Sequence, residues 1–328
     1  MQLAVIGGGS WATALVKILA EHDVRIRWWL RNRRDLDHIR KFHHNPSYLS
    51  DVHLNPRRVK PCGKLSEAVK GTDYLILAVP AAFLPDALKG LKPEDFSGKI
   101  VVSAIKGMIP GDNLLVTDWV EKTFGVSQDQ LCAIAGPCHA EEVALEKQSY
   151  LTIASPSLEV AQRLARHLTC RYVTAHGITD LYGAEYCAVL KNIVALACGI
   201  CHGLGYGDNF QAVLVANALQ EIKRFLDAVY PFYRDLDGSA YLGDLLVTAY
   251  SQFSRNRTFG SMIGRGYSVQ SAQMEMNMIA EGYYAVKSIH EINRQFEVDM
   301  PITDATYNIL YQRSSPGVEM GILKNLLR

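Results

Sequence analysis

The chain has 328 residues, of which 48% are hydrophobic and 20% charged, and its formal net charge at pH 7 is +1. This length suits two domains better than one core, and the balanced charge without a basic stripe argues against a nucleic-acid partner. No uninterrupted apolar run approaches the ~20 residues that a membrane span needs, so no integral membrane segment is expected.

The first predicted element is a short apolar strand, Gln2–Ile6, which stops at glycines and restarts as a helix over residues 13–20. Such a turn presents backbone N–H groups at a helix N-terminus, where the peptide dipoles favour an anion. Between the two elements lies Gly7-Gly8-Gly9-Ser10-Trp11-Ala12, which reads as G-x-G-x-x-A. In this motif Gly7 makes the tight turn, Gly9 lets the backbone approach a pyrophosphate, and Ala12 lets the helix pack on the strand. The stretch favours dinucleotide binding over a simple glycine-rich turn.

The second predicted strand, residues 24–30, ends where a Rossmann fold usually has an Asp or Glu that holds the adenosine ribose 2′-hydroxyl. This chain has Leu30-Arg31-Asn32-Arg33-Arg34 there. The missing acid and the arginines indicate that a 2′-phosphate is tolerated, so NADPH is a plausible cofactor beside NADH. The alternative is that these arginines are simply solvated in a loop. The helix that follows, over residues 35–44, is ended by Asn45-Pro46.

Strands and helices continue to alternate as far as residue 174. Strands are predicted at 59–61, 74–79, 99–104, 131–134, 150–154 and 171–174, and helices at 66–70, 83–91, 113–124, 140–146 and 158–168. This alternation indicates a largely parallel, doubly wound sheet. Ligands of such sheets bind beyond the carboxyl ends of the strands. The loops that carry Ser10-Trp11, Pro80-Ala81, Lys106-Gly107 and Gly136-Pro137 are therefore expected to line one crevice.

From about Thr179 the pattern changes to long helical stretches with no convincing strand between them. Helices are predicted at 181–203, 210–229, 239–250, 280–293 and 302–311. The predicted fold class is α/β, with an N-terminal Rossmann-like doubly wound domain followed by an all-helical C-terminal domain. We expect residues 1–178 to bind NAD(P) and residues 179–328 to bind the substrate and carry the catalytic groups.

The helical domain contains polar groups that suit a phosphorylated substrate. Lys191-Asn192 lies on its first helix, Asp244 and Thr248 are one helical turn apart, and Ser254-Arg255-Asn256-Arg257 follows. Arg255 offers a planar fork of donors that matches phosphate oxygens, and Asn256 with helix N-terminal N–H groups can complete the cradle. The alternative for Arg255 and Arg257 is a solvated loop.

Several short motifs occur in order along essentially the whole chain. They are the glycine motif at 7–12, Ala-Val-Pro at 78–80, Lys-Gly at 106–107, Ala-Gly-Pro-Cys-His-Ala-Glu-Glu at 135–142, Leu-Lys-Asn at 190–192, Gly-Asp-Leu at 243–245, Ser-Arg-Asn-Arg at 254–257, Gln-Ser-Ala at 270–272 and Glu-Gly at 281–282. In this register the sequence resembles the bacterial NAD(P)-dependent glycerol-3-phosphate dehydrogenase family. Many motifs in order are far more specific than any one of them.

The resemblance implies reversible reduction of dihydroxyacetone phosphate to sn-glycerol 3-phosphate, the backbone precursor of glycerophospholipids, by a homodimer that uses NADPH or NADH. By similarity Lys191 is the general acid or base at the carbonyl oxygen, and the other catalytic residues are Lys106, Asp244, Asn192 and Thr248. The substrate-binding residues that it implies are Lys106, Gly136, Cys138, Lys191, Asp244, Ser254, Arg255 and Asn256. The cofactor-binding residues are Gly7, Gly9, Ser10, Trp11, Ala12, Arg31, Lys106, Ala140, Arg255 and Glu281. Cys138 stands where the family usually has a serine, and a thiol is the weaker donor.

The proposed acid has an ordinary pKa that suits only one direction of the reaction. A free lysine has a pKa of about 10.4, which leaves little base for alcohol oxidation at neutral pH. We hypothesise that Lys106, a second cation, together with partial burial, lowers the pKa of Lys191.

Particular residues bear on other functions. Cys198-Gly199-Ile200-Cys201-His202 matches the C-x-x-C-H pattern of covalent haem attachment, but its small apolar surroundings favour a closely packed helix with core cysteines.

Two alternative functions are compatible with the same predicted fold. One is a related hydroxyacid or 6-phosphogluconate-type dehydrogenase, and the other is a non-catalytic NAD(P)H sensor. The histidines show no metal-ligand spacing, so no metal is expected. Seven scattered cysteines and the absence of a signal-peptide pattern predict reduced thiols in a soluble cytoplasmic protein.

Overall fold

The computed structural model describes residues 1–276 and 280–328. Within these residues the strands are β1 Gln2–Ile6, β2 Arg25–Trp29, β3 Val59–Cys62, β4 Tyr74–Leu77, β5 Ile100–Ser103, β6 Met108–Ile109, β7 Leu114–Leu115, β8 Leu131–Ala135, β9 Ser149–Ala154 and β10 Val173–Ile178. The α-helices are α1 Ser10–Ala20, α2 Arg33–Phe42, α3 Leu65–Val69, α4 Leu84–Ala87, α5 Val116–Phe124, α6 Ala140–Ala144, α7 Leu158–Leu168, α8 Leu181–Gly203, α9 Asp208–Val229, α10 Asp244–Tyr250, α11 Arg255–Gly264, α12 Val269–Glu275, α13 Glu281–Phe296, α14 Pro301–Tyr311 and α15 Pro316–Leu323.

The chain divides into two compact units. The first contains Met1–Ile105 and Val116–Leu181, and the second contains Lys106–Leu115 and Tyr182–Arg328. The first unit holds an eight-stranded sheet with helices, and apart from one small hairpin the second is built from helices. The predicted fold class, a doubly wound domain followed by a helical one, is confirmed.

The large sheet has the strand order β10-β9-β8-β5-β4-β1-β2-β3. Its neighbouring strands are parallel except for β8 and β9, which are antiparallel. The Tyr74–Leu77 strand is buried along its whole length, as expected of a central strand covered on both faces. Since β1, β4 and β8 run in the same direction, the loops that follow them lie along one edge of the sheet.

The segment between β5 and α5 differs from its prediction. The sequence predicts a helix over 113–124, but β6 and β7 form an antiparallel hairpin and α5 begins only at Val116. Gly111 and Asn113 have φ angles of 87° and 53°, so they supply the left-handed backbone that this tight turn needs. The hairpin also puts Lys106 in the second unit, although it precedes residue 178 in the sequence.

Helix α8 crosses α11 at glycines of both helices. A Cβ at Gly199 of α8 would lie 2.1 Å from the carbonyl oxygen of Arg257, and one at Gly260 of α11 would lie 2.2 Å from that of Leu196. Only glycines allow the two backbones to approach this closely. Cys198 and Cys201 are free and buried in this region, which confirms that they are small core residues.

Helix α8 also has an unusually apolar composition. Among the described residues it is the one helix long and apolar enough to cross a membrane, and 94% of its most apolar window is buried inside the protein. This burial is typical of the central helix of a folded core.

The helix crossing predicts a large effect of one methyl group. Gly199→Ala should lower the free energy of unfolding by about 1–3 kcal/mol, because the backbones of α8 and α11 must separate to admit the Cβ. Urea unfolding checks this against Gly321→Ala, since Gly321 lies in α15 and a Cβ there would meet no atom within 4 Å. That control should be neutral or stabilising by up to ~1 kcal/mol, as alanine favours a helix. Equal midpoints for Gly199→Ala and the unaltered protein would contradict the close approach.

Candidate active site

The second unit contains a buried group of charged side chains around Asp244. Lys191 Nζ donates a hydrogen bond to Oδ1 of Asp244, and Lys106 Nζ donates one to Oδ2 at 2.9 Å. Asp244 is 1% exposed, and the side chains of Lys191 and Lys106 are 6% and 19% exposed. One carboxylate therefore joins two ammonium groups in a site that is almost closed to water.

Two further side chains complete this group. The Lys191 ammonium also contacts Thr248 Oγ1 at 2.9 Å, and the Thr248 hydroxyl donates its own proton to the Asp244 carbonyl oxygen at 2.6 Å. Asn192 Nδ2 donates to the backbone carbonyl of Lys106 at 2.7 Å. The structure thus brings together all five residues that the resemblance implied as catalytic.

Burial and the neighbouring charges together determine the pKa of Lys191. Burial lowers the pKa of Lys191 below that of a free lysine, and Lys106 lowers it further, while Asp244 opposes both. Burial disfavours ionised Asp244, but the two ammonium groups outweigh it and hold the pKa of Asp244 below its usual value. The hypothesis from the sequence has the right direction, with burial as the larger cause. Loss of one proton from Lys191 still leaves Lys106 and Asp244 as an ion pair.

Each member of the group is positioned by a different element. Lys191 and Asn192 lie in the middle of α8, and Asp244 begins α10 directly after a π-helical turn, Ser239–Gly243. Lys106 precedes the β6–β7 hairpin, whose Asn113 donates to Glu291 Oε2 on α13 at 2.6 Å. The sequence did not predict this hydrogen bond between Asn113 and Glu291. The hairpin itself could have been predicted from Pro110-Gly111, since this dipeptide is typical of a turn.

The Ser254-Arg255-Asn256-Arg257 segment is the start of a helix, so the loop alternative is wrong. Ser254 Oγ accepts a hydrogen bond from the Arg257 N–H and caps α11. Asn256 is buried, and its Oδ1 accepts from the Gly282 N–H at 2.9 Å. Arg255 is half-buried. These contacts link the start of α11 to the start of α13, where Glu281 is the first residue.

The start of α1, in the first unit, has features that suit a phosphate group. Gly7 has a φ of 134°, and a Cβ there would lie 2.3 Å from the Ala78 carbonyl oxygen, so this position requires glycine. A Cβ at Gly9 would meet no atom within 4 Å. Helix α1 begins at Ser10 with no side-chain cap and no acidic residue in its first turn. Within the described part of the chain Trp11 Nε1 is buried without a hydrogen-bond partner. Free space, open amides and a spare donor fit a dinucleotide pyrophosphate.

The arginines predicted beside the adenosine end lie after β2. The guanidinium of Arg31 is 5.8 Å from the centroid of the Phe83 ring. Asn32 caps α2 by accepting from the N–H groups of Arg34 and Asp35 at 3.0 and 3.4 Å, which places Arg33 in the first turn of that helix. Arg31 and Arg33 are both exposed.

The loop after β8 holds the remaining predicted residues of the first unit. Gly136 has a φ of 101°, and a Cβ there would lie 2.8 Å from the Tyr150 carbonyl oxygen. Cys138 is buried and forms no disulfide, and Ala140 is the first residue of α6. Because β8 runs parallel to β5, β4 and β1, this loop is at the same edge of the sheet as the glycine motif.

Comparison with known protein families matches both units. The model described as the NAD-dependent glycerol-3-phosphate dehydrogenase N-terminus matches residues 2–161, and the one described as its C-terminus matches residues 180–320. The chain belongs to this family. A glycerol-3-phosphate dehydrogenase [NAD(P)+] of an Exiguobacterium species is 36% identical to it over 327 residues, covering 99% of this chain and 95% of the relative. That of Pelodictyon phaeoclathratiforme is 35% identical over 331 residues, covering 100% and 98%.

Solved structures agree with this family. The crystal structure of glycerol-3-phosphate dehydrogenase from Coxiella burnetii matches with a TM-score of 0.91 at 27% identity and covers 99% of this chain and 98% of that one. A D-mandelate dehydrogenase matches with a TM-score of only 0.60 at 15% identity, which shows a similar fold alone.

The arrangement around Asp244 predicts how the Lys191 pKa responds to a mutation. Asp244→Asn should lower the pKa of Lys191 further, because burial and Lys106 still disfavour the ammonium and the opposing carboxylate is gone. The midpoint of Lys191 acetylation against pH, followed by mass spectrometry with exposed Lys89 as internal reference, measures the change. An acetylation midpoint in Asp244→Asn that is equal to or higher than that of the unaltered protein would contradict this electrostatic explanation.

Proposed function

We propose that this protein reduces dihydroxyacetone phosphate reversibly to sn-glycerol 3-phosphate with NADPH or NADH. The observation that carries the proposal is the buried Lys191 ammonium, bound by Asp244 and Thr248, in a member of the glycerol-3-phosphate dehydrogenase family. Its lowered pKa suits proton transfer in both directions near neutral pH. The product is the backbone precursor of glycerophospholipids, so we assign the enzyme to lipid synthesis.

The chemistry required of the protein is charge stabilisation and proton transfer at the carbonyl oxygen. When bound, the nicotinamide supplies the hydride. Negative charge then develops on the oxygen, and Lys191 both stabilises it and donates the proton that completes the alcohol. The Lys106–Asp244 ion pair remains after that proton has left and keeps the site ordered. In the reverse direction neutral Lys191 accepts the hydroxyl proton.

Binding of the phosphate group orients the carbonyl. We assign this to Arg255, whose planar fork of donors matches phosphate oxygens, with Ser254 and Asn256 beside it. The other proposed substrate contacts are Lys106, Gly136 and Cys138. Binding of the phosphate at a distance from the carbonyl provides binding energy that aligns the reacting groups.

The dinucleotide is assigned to the first unit's glycine motif. Its pyrophosphate would lie at the N-terminus of α1, where Gly9 leaves room and the Trp11 indole N–H is a spare donor. The other proposed cofactor contacts are Gly7, Ser10, Ala12, Arg31, Lys106, Ala140, Arg255 and Glu281.

We further propose that the enzyme works as a homodimer in the cytoplasm. Soluble oligomers are most often twofold, and a homodimer is the usual expectation for this family. The proposed reaction needs no metal ion.

The proposed acid gives a direct test by nicotinamide absorbance. Purified protein should oxidise NADH or NADPH when dihydroxyacetone phosphate is added, and Lys191→Ala should lose at least about a hundredfold in kcat, since general acid catalysis contributes 10²–10⁴-fold. Lys223→Ala, which removes an exposed lysine of α9, should keep full activity.

The outcomes separate this function from its rivals. Dinucleotide binding without turnover would favour a sensor, and turnover of a hydroxyacid instead would favour a related dehydrogenase. Full activity of Lys191→Ala would remove Lys191 as the acid.

The arginines after β2 give a second test. Replacing Arg31 and Arg33 with alanine should raise the KM for NADPH several-fold more than that for NADH, because a 2′-phosphate is present only in NADPH. Parallel titrations of the two cofactors measure the ratio. An equal rise in KM for both cofactors would refute a 2′-phosphate site. Arg166→Ala on α7 is the control, because it removes an exposed arginine elsewhere in the first unit.

A further inference from the structure

Three buried side chains each bind one carbonyl oxygen of the glycine motif. Trp28 Nε1 donates to the Gly7 oxygen at 2.6 Å, Asn45 Nδ2 donates to the Gly8 oxygen at 3.0 Å, and Thr13 Oγ1 donates to the Gly9 oxygen at 2.9 Å. Trp28, Asn45 and Thr13 are fully buried. The carbonyls of three successive residues are therefore held from the protein interior.

Holding these carbonyls also orients the amides that follow them. In a planar trans peptide the C=O of one residue and the N–H of the next point in opposite directions. Three fixed carbonyls at Gly7, Gly8 and Gly9 therefore fix the N–H groups of Gly8, Gly9 and Ser10 on the opposite sides of their peptide planes. These N–H groups belong to the loop and helix end that would bind an anion.

Asn45 is the centre of this network. Its Nδ2 also donates to Thr13 Oγ1 at 2.9 Å, and its Oδ1 accepts from the N–H groups of Ser47 and Tyr48 at 3.0 and 3.3 Å. Two N–H groups facing Oδ1 define which way the amide points. All its donors are used, so Asn45 couples the Gly8 carbonyl directly, and the Gly9 carbonyl through Thr13, to the turn after α2.

We propose that Asn45, with Trp28 and Thr13, forms a set of positioning residues that orients the glycine-loop N–H groups for the pyrophosphate of the dinucleotide. This inference rests on the proposed function. The three side chains act through the backbone and not by touching the cofactor. Their effect is preorganisation, because a loop already held in its binding conformation loses less freedom when the ligand binds.

Asn45→Asp tests the central residue. Aspartate has nearly the same shape and still accepts from Ser47 and Tyr48, but an ionised carboxylate cannot donate to the Gly8 carbonyl. The Kd values of NADH and NADPH, from nicotinamide fluorescence titration, should rise by the same factor of about ten or more, as for the loss of a buried hydrogen bond. The KM for dihydroxyacetone phosphate should change less than twofold.

Thr13→Val is the second variant and keeps the inference testable should Asn45→Asp fail to fold. It removes the hydroxyl that binds the Gly9 carbonyl and preserves the side-chain shape, so both Kd values should rise several-fold. Thr13→Ser should restore them. Ser47→Ala is the matched control, since it removes a hydrogen bond to Asp35 Oδ1 in the same segment without affecting a loop carbonyl. Its Kd values should equal those of the unaltered protein.

The results distinguish failure of this inference from failure of the proposed function. An unaltered protein that binds neither dinucleotide would reject the function itself. An unaltered protein that binds both, with folded Asn45→Asp or Thr13→Val binding equally well, would overturn the positioning role. A change confined to NADPH would also overturn it, because the pyrophosphate is common to both cofactors.

Discussion

The Asp244 carboxylate binds two ammonium groups in a place that water hardly reaches. Without it, Lys106 and Lys191 would be two buried like charges, and burial of unpaired charges is costly. With it, the group carries one excess positive charge that Lys191 can release as a proton. The carboxylate holds the site together, while burial and the charge of Lys106 make the Lys191 proton easier to release against the pull of Asp244.

The helices and the hairpin of the second unit are arranged so that this sharing is possible. Glycine contacts bring α8 and α11 together, and the Asn256 side chain joins the start of α11 to Gly282 on α13. The β6–β7 hairpin brings Lys106 to Asp244, and its Asn113 is anchored to the same helix, α13. Close glycine contacts and the hydrogen bonds of two asparagine side chains therefore help to determine where the charged groups meet.

The glycine motif of the first unit would stabilise an anion without charged side chains of its own. The glycine motif contains no lysine or arginine, so the donors that it presents to an anion are backbone N–H groups, the Ser10 hydroxyl and the indole N–H of Trp11. Because a dipole stabilises an anion only when it points toward it, we infer that the buried donors of Trp28, Asn45 and Thr13 act together with the glycines. A side chain 37 residues away from Gly8 in the sequence thus contributes to a local motif.

Local patterns were enough to predict the alternation of strands and helices, the change to helices near residue 179, and the glycine turn, because periodicity and glycine chemistry act between near neighbours. The motif order also led to the family and to Asp244 with the four residues around it. The hairpin at 106–115, the antiparallel β9 and the helix that begins at Arg255 were missed, since each depends on partners distant in the sequence. Only the tertiary structure showed that Lys191 is buried between Thr248 and a carboxylate that it shares with Lys106. It also showed that Asn45 binds the glycine loop, although in the sequence this residue only marked the end of a helix. Burial and hydrogen-bond partners are properties of the folded chain, and they set the pKa of Lys191 and the direction of the loop amides.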